Sequence, residues 1–151
     1  MKPYNPHFNP WCWLMPMLWT FLQGLPLQAA LAPKSPEQLK EQATCIVKGK
    51  VLAIHSKTRW SKIETAWGLH RDRIYTLTLQ VTACNKGEAA QPKGTLVIEA
   101  WQPSLRLPPL PGLQGHVPLT KKGDTLTAYL IQKNGTWIPL LPNGLVLHEA
   151  P

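Results

Sequence analysis

Trp60 and Trp67 stand among Lys57, Arg59, Lys62, Arg71 and Arg73. Cations interleaved with indoles suit an anionic ligand. The ammonium and guanidinium groups bring charge and donors, and the rings bring flat faces for stacking. Arg59, Trp60, Lys62, Trp67 and Arg71 are therefore the candidate binding residues. The competing reading is that tryptophans in a strand-connecting loop cap a barrel core more often than they stack on a ligand. A formal net charge of +8 favours nucleic acid, anionic lipid or acidic polysaccharide as partner. Charged residues are only 16% of the chain and Lys121-Lys122 is the only adjacent basic pair, so a basic balance that merely keeps the protein soluble is the plainer account.

Reaction chemistry finds little support. His55, His70, His116 and His148 are far apart in sequence, without the short spacings of metal ligands, and read as solvated loop histidines. No Gly-x-Ser-x-Gly occurs, and Ser56, Ser61 and Ser104 lie in ordinary loop contexts. Glu64 and Glu99 are the carboxylates within reach of a barrel mouth, and nothing pairs them. There is no phosphate-binding glycine loop. The expectation is a chain without catalytic residues, metal or cofactor. Leu107-Pro108-Pro109-Leu110-Pro111 resembles a polyproline ligand, but Arg106 is one residue out of place for it, and the stretch reads as a rigid loop.

The elements that must position these residues are mainly strands. Sixteen prolines disfavour long helices. Residues 45–54 and 74–84 read as two long strands joined by the charged loop 55–73. In the second, Tyr75, Leu77, Leu79, Val81 and Ala83 alternate with Thr76, Thr78, Gln80 and Thr82, as in a half-buried antiparallel strand. In the first, the apolar phase changes across Lys48-Gly49-Lys50, which predicts a bulge at Gly49. Residues 63–67 fit a helical turn or an extra strand equally well. Further strands are expected at 95–101, 125–132, 137–141 and 145–147. Lys133-Asn134-Gly135-Thr136 predicts a type I′ hairpin, Pro142-Asn143-Gly144 another turn, and the proline-rich 103–118 an irregular loop. Ser35-Pro36-Glu37-Gln38 carries a capping box for a short helix ahead of the first strand. These strands suffice to close one small barrel.

The amino terminus has another character. Lys2 is followed by the apolar run Trp11–Leu22, the breakers Gly24 and Pro26, and Ala30-Leu31-Ala32 with the small-x-small spacing of a signal peptidase site. Residues 1–32 are read as a signal peptide, cut after Ala30 or Ala32, with an uncleaved anchor at the outer face of the membrane as the alternative. Residues 33–151 are then one domain of roughly 115 residues, enough for a single core. The expected location is secreted or periplasmic.

Removing the leader removes Cys12 and leaves Cys45 and Cys84 in an oxidising compartment. Residue numbers 45 and 84 have the same sum as 54 and 75, so a plain hairpin would set the two cysteines face to face. That predicts a Cys45–Cys84 disulfide. The same register opposes Val47 to Thr82 and Val51 to Thr78, a mismatch of faces, and two buried thiols are the alternative.

The run Cys-Ile-Val-Lys-Gly-Lys-Val-Leu-Ala-Ile, then Val-Thr-Ala-Cys-Asn-Lys-Gly, Leu-Val-Ile-Glu and Lys-Lys-Gly-Asp-Thr-Leu-Thr-Ala-Tyr-Leu resembles the bacterial secreted relatives of the netrin-like module. That module includes the amino-terminal domain of the tissue inhibitors of metalloproteinases. The resemblance spans 44–147 and implies a five-stranded OB-type barrel. Those inhibitors grip the protease zinc through an amino-terminal Cys-x-Cys. Here Val47 stands where the second cysteine belongs, so the inhibitory site does not carry over. The functional expectation is an exported, non-enzymatic binding module that uses loops 55–73 and 103–118. Its partner would be an extracytoplasmic protein or an anionic polymer. A protease regulator and a single-strand nucleic acid binder are the alternatives.

Overall fold

The computed structural model describes residues 31–65, 67–88, 92–109, 115–117 and 120–148. The predicted leader lies outside them except at its last two residues. Among the described residues no helix is long and apolar enough to cross a membrane.

Among the described residues the first element is a short helix, α1 (Pro36–Gln42). Its capping box forms as the sequence predicts: the Ser35 hydroxyl accepts from the Gln38 amide at 3.3 Å, and the Gln38 side chain accepts from the Ser35 amide at 2.9 Å. Leu39 is the buried residue of the helix and packs with Ala43, Ile46 and Leu140 in a small cluster of their own.

Six strands follow among the described residues: β1 (Cys45–Trp60), β2 (Leu69–Lys86), β3 (Thr95–Leu107), β4 (Thr125–Lys133), β5 (Thr136–Pro139) and β6 (Leu145–His148). They form one sheet in the order β1-β2-β3-β5-β4-β6, and β1 also pairs with β4. That extra pairing closes five strands into a ring, with β6 outside it on β4. All pairings are antiparallel except β3 with β5, which is parallel and rests on Ile98 opposite Trp137. The core fills the ring. Val47, Val51, Leu77, Leu79, Val81, Ile98, Leu126 and Leu130 are among its buried residues, so the alternation expected for β2 holds from Leu77 to Val81.

β1 bends to reach two partners. Its register against β2 shifts at three places, one of them between Lys48 and Gly49 where a bulge was predicted. A Cβ on Gly49 would stand 2.7 Å from the Gln80 carbonyl oxygen, so the backbones approach there more closely than any side chain permits. The shifts also resolve the mismatch of faces. Val47 lies opposite Cys84, Gly49 opposite Val81 and Val51 opposite Leu79, apolar against apolar.

The same register overturns the predicted disulfide. Cys84 faces Val47, two residues beyond Cys45, and the two sulfurs are not at disulfide distance. Cys45 is wholly buried in the core, opposite Leu130 of β4. The Cys84 thiol donates to the Gly87 carbonyl at 3.0 Å.

Strands outrun their predicted ends. β1 continues to Trp60 and β2 starts at Leu69, so the charged loop shrinks to 61–68, and the described part of 63–67 is neither helix nor strand. The ribbon lengthens because residues 71–73 find partners on both sides, in β1 and in β3, and Leu69 and His70 pair with β3. β3 in turn runs through Pro103 to Leu107, where irregular chain was expected. Pro103 is tolerated because the register slips between Arg71–Leu105 and Asp72–Pro103, which leaves Ser104 as the extra residue of a bulge. The type I′ turn forms as predicted, with φ of 51° at Asn134 and 76° at Gly135.

Candidate functional site

Only part of the β1–β2–β3 ribbon belongs to the ring. β4 covers β1 no further than Lys50, and β5 touches β3 at Ile98. The far half therefore projects past these pairings, with Trp60, Arg71 and Arg73 exposed on one face and His70, Asp72 and Ile74 buried on the other. The tip is closed by the Ser61 amide on the His70 carbonyl at 2.9 Å. The Ser61 hydroxyl accepts from the Glu64 amide at 2.9 Å and orders the turn.

The five predicted binding residues sit at this tip but do not form one site. Neighbouring residues of a strand point to opposite faces. Trp60 shares a face with Arg71, its cross-strand partner, whose guanidinium carbon lies 5.1 Å from the centre of the indole. Trp60 is 60% exposed and Trp67 is 89% exposed, so neither caps the core. Arg59 points the other way, beside Asp72 in register, and makes a loose pair with Glu99 at 3.7 Å. Its Nε is buried without a hydrogen-bond partner.

Arg59 and Lys62 line a groove of about 880 Å³ that crosses β3 and reaches the β4–β5 hairpin. Lys34 and Lys133 add charge from distant parts of the chain, and among the described residues Glu99 is the one carboxylate of the lining. Trp101, Ile131, Ile138 and Leu140 give it apolar surface. A second cavity, at the end of the barrel between Ile54, Leu77, Ala100 and Thr120, has only about 100 Å³. Ligand pockets run to several hundred cubic ångströms, which rules out the cavity. A further pocket of about 460 Å³, lined by Lys40, Ile46, Lys86 and Tyr129, holds none of the predicted binding residues, so the groove is the candidate site.

No family model matches this chain, and no curated protein or solved structure is similar to it.

Two of the histidines correct the expectation of solvated loop residues. His116 is 2% exposed and His70 3%. The segment 115–117 is laced onto β3 through His116. Its Nδ1 accepts from the Trp101 amide at 3.0 Å, and Nε2, carrying the proton, donates to the Pro139 carbonyl at 2.9 Å. Its ring also meets Trp101 edge-on, with centroids 6.2 Å apart. Burial holds its pKa below the ordinary histidine value, against the raising effect of the carbonyls of Pro139 and Trp101. The unfolded chain, with its histidine titrating near the usual value of about 6.5, thus takes the proton first as pH falls. Stability from His116 is whole above about pH 6.5 and is lost as pH falls from there toward the lower folded pKa. Urea melts from pH 7.5 down to 5 should show that decline, and a His116→Gln variant should show a flatter one; equal slopes refute the assignment.

Near the tip Asp72 is buried beside His70, 1% exposed, and forms an ion pair with Arg106. Arg106 also donates to the carbonyls of Arg71 at 2.6 Å and Leu105 at 2.9 Å. It is thus a structural strut across β2 and β3, not the basic flank of a proline-rich ligand. His70, its register partner, has no hydrogen-bond partner at either ring nitrogen.

Sequence reasoning found Arg59 and Lys62 of the groove and missed Lys34, Glu99 and Lys133. Nothing local marks those three. Only closure of the ring sets the Asn134-Gly135 turn opposite the β1–β2 tip.

Proposed function

We propose that this chain is an exported, non-enzymatic binding module that holds an anionic polymer in the groove between the β1–β2 tip and the β4–β5 hairpin. One observation carries the reading: among the described residues four cations, Lys34, Arg59, Lys62 and Lys133, and a single carboxylate line about 880 Å³ of partly apolar groove. Positive charge concentrated over low-dielectric walls attracts and retains polyanions. The barrel is proposed to be of the OB type. Support comes from the ring order β1-β2-β3-β5-β4, the parallel β3–β5 contact and the bulged first strand shared by two partners. In such barrels ligands lie on strands 2 and 3 between the 1–2 and 4–5 loops, and this groove crosses β3 between the β1–β2 tip and the β4–β5 hairpin. The netrin-like resemblance fits the same proposal.

A Lys62→Glu, Lys133→Glu double variant should bind a sulfated polysaccharide roughly tenfold more weakly or worse, and its affinity should depend less steeply on salt. Unchanged retention would remove the groove from consideration. A single-stranded oligonucleotide that outcompetes the polysaccharide and quenches Trp60 would favour the nucleic-acid reading. Inhibition of a metalloproteinase would favour the regulator. The mature amino terminus, found by mass spectrometry of the native protein, tests export.

A further inference from the structure

Beyond the groove, the far half of β1 offers a second surface, made of backbone. Among the described residues, the edge of β1 away from β2 is occupied only as far as Val51, whose amide and carbonyl meet Asp124 and Gly123. From there to Trp60 the strand pairs with β2 alone. The hydrogen bond from Ser61 to His70 fixes which groups face which way. In an antiparallel pair, bonded positions alternate with unbonded ones, and the pairing runs without a shift from Ala53–Thr78 to Trp60–Arg71. Residues 53, 55, 57 and 59 therefore bond to β2. The amides and carbonyls of Ile54, Ser56, Thr58 and Trp60 point outward.

Such an edge is a template for another strand, and charge decides which one. Lys57 and Arg59 line one face of it. Arg71 and Arg73 stand one strand away on the other, opposite Trp60 and Thr58. A second copy of the chain would set like charges against like, which is destabilising. The same cations would welcome carboxylates. We infer that the 52–60 edge of β1 takes an acidic, extended segment of a partner protein as an added strand. This surface shares Arg59 with the groove, but it needs outward backbone groups and not the Lys62–Lys133 rim.

The probe is a peptide of about ten residues alternating glutamate with valine, with a lysine–valine peptide as control. Amide hydrogen exchange of the full chain should slow at Ile54, Ser56, Thr58 and Trp60 when the acidic peptide is added, and the lysine peptide should leave them unchanged. Thr58→Pro removes one outward donor without touching a bond to β2, and should weaken peptide binding by roughly tenfold or more. Should that variant unfold, Ser56→Pro serves the same purpose, and the exchange pattern of the unaltered protein decides by itself. The Lys62→Glu, Lys133→Glu variant should keep the protection. Its loss there, or peptide binding that leaves those four amides exchanging freely, overturns the inference. So does their protection in a dimer without peptide. If the four amides stay unprotected while groove-dependent polysaccharide binding persists, only this inference falls.

Discussion

An Arg106→Met variant should lose about 3–5 kcal/mol of stability, the cost of leaving a buried charge without its partner. Asp72 is almost wholly inaccessible, and Arg106 is its ion-pair partner. Methionine keeps much of the length and apolar stem of arginine but supplies no donor. The carboxylate then faces a low-dielectric site alone, and the carbonyls of Arg71 and Leu105 each lose a donor as well. Removing both charges should cost far less than removing one. An Asp72→Leu, Arg106→Met double variant is expected to recover most of the loss, because a buried ion pair replaced by apolar groups of similar volume is often near neutral. Urea titration of the three variants measures this directly. If Arg106→Met melts like the parent, Asp72 is not held as described.

Gly49→Val should cost about 3 kcal/mol, at the upper end of what forced overpacking costs. The nearest atom to a Cβ at this position is backbone, the Gln80 carbonyl oxygen at 2.7 Å, which cannot swing aside as a side-chain tip would. The Leu79 Cβ lies behind it at 3.5 Å. The strand must therefore withdraw from β2 at the point where it also pairs with Leu126 of β4. Both ladders suffer together. By contrast Gly135, in a solvent-facing turn with nothing within 4 Å of its Cβ, should respond only through its positive φ. A denaturation midpoint for Gly49→Val no lower than that of Gly135→Ala would refute the close approach.

Much of the fold was legible because the signals that carry it are local. The capping box at Ser35, the Asn134-Gly135 turn, the alternation along β2 and the phase change at Gly49 each act within a few residues. What was not legible depended on partners far along the chain. Pro103 looks like a strand breaker until a bulge at Ser104 excuses it. Residues 55–60 and 69–73 look like a charged loop because their polar side chains hide a backbone ladder that forms only once β3 lies alongside. The hairpin arithmetic for Cys45 and Cys84 set Ile54 opposite Tyr75, whereas Ile54 pairs with Leu77, and that two-residue offset, restored after the shifts at Ala53 and Gly49, puts Cys84 opposite Val47. His116 resembles any loop histidine in sequence; its burial follows from Trp101 and Pro139 lying on either side of it. For the candidate site the same split holds. The tip cations were visible as a cluster, whereas their division onto two faces followed from strand alternation in a ribbon that was not expected to reach so far.

The ring that joins the first strand to the fourth has a consequence for how the chain assembles. β1, β2 and β3 meet their neighbours in order, but Cys45 must wait for Leu130. Contacts so distant in sequence carry a large loop-closure entropy and form late. Until the fourth strand arrives, the near half of the first is a bare rail, and a thiol sealed in the finished barrel stands open to whatever oxidant or chaperone the compartment holds. The nascent molecule and the mature one thus offer their surroundings different chemistries at the same residue.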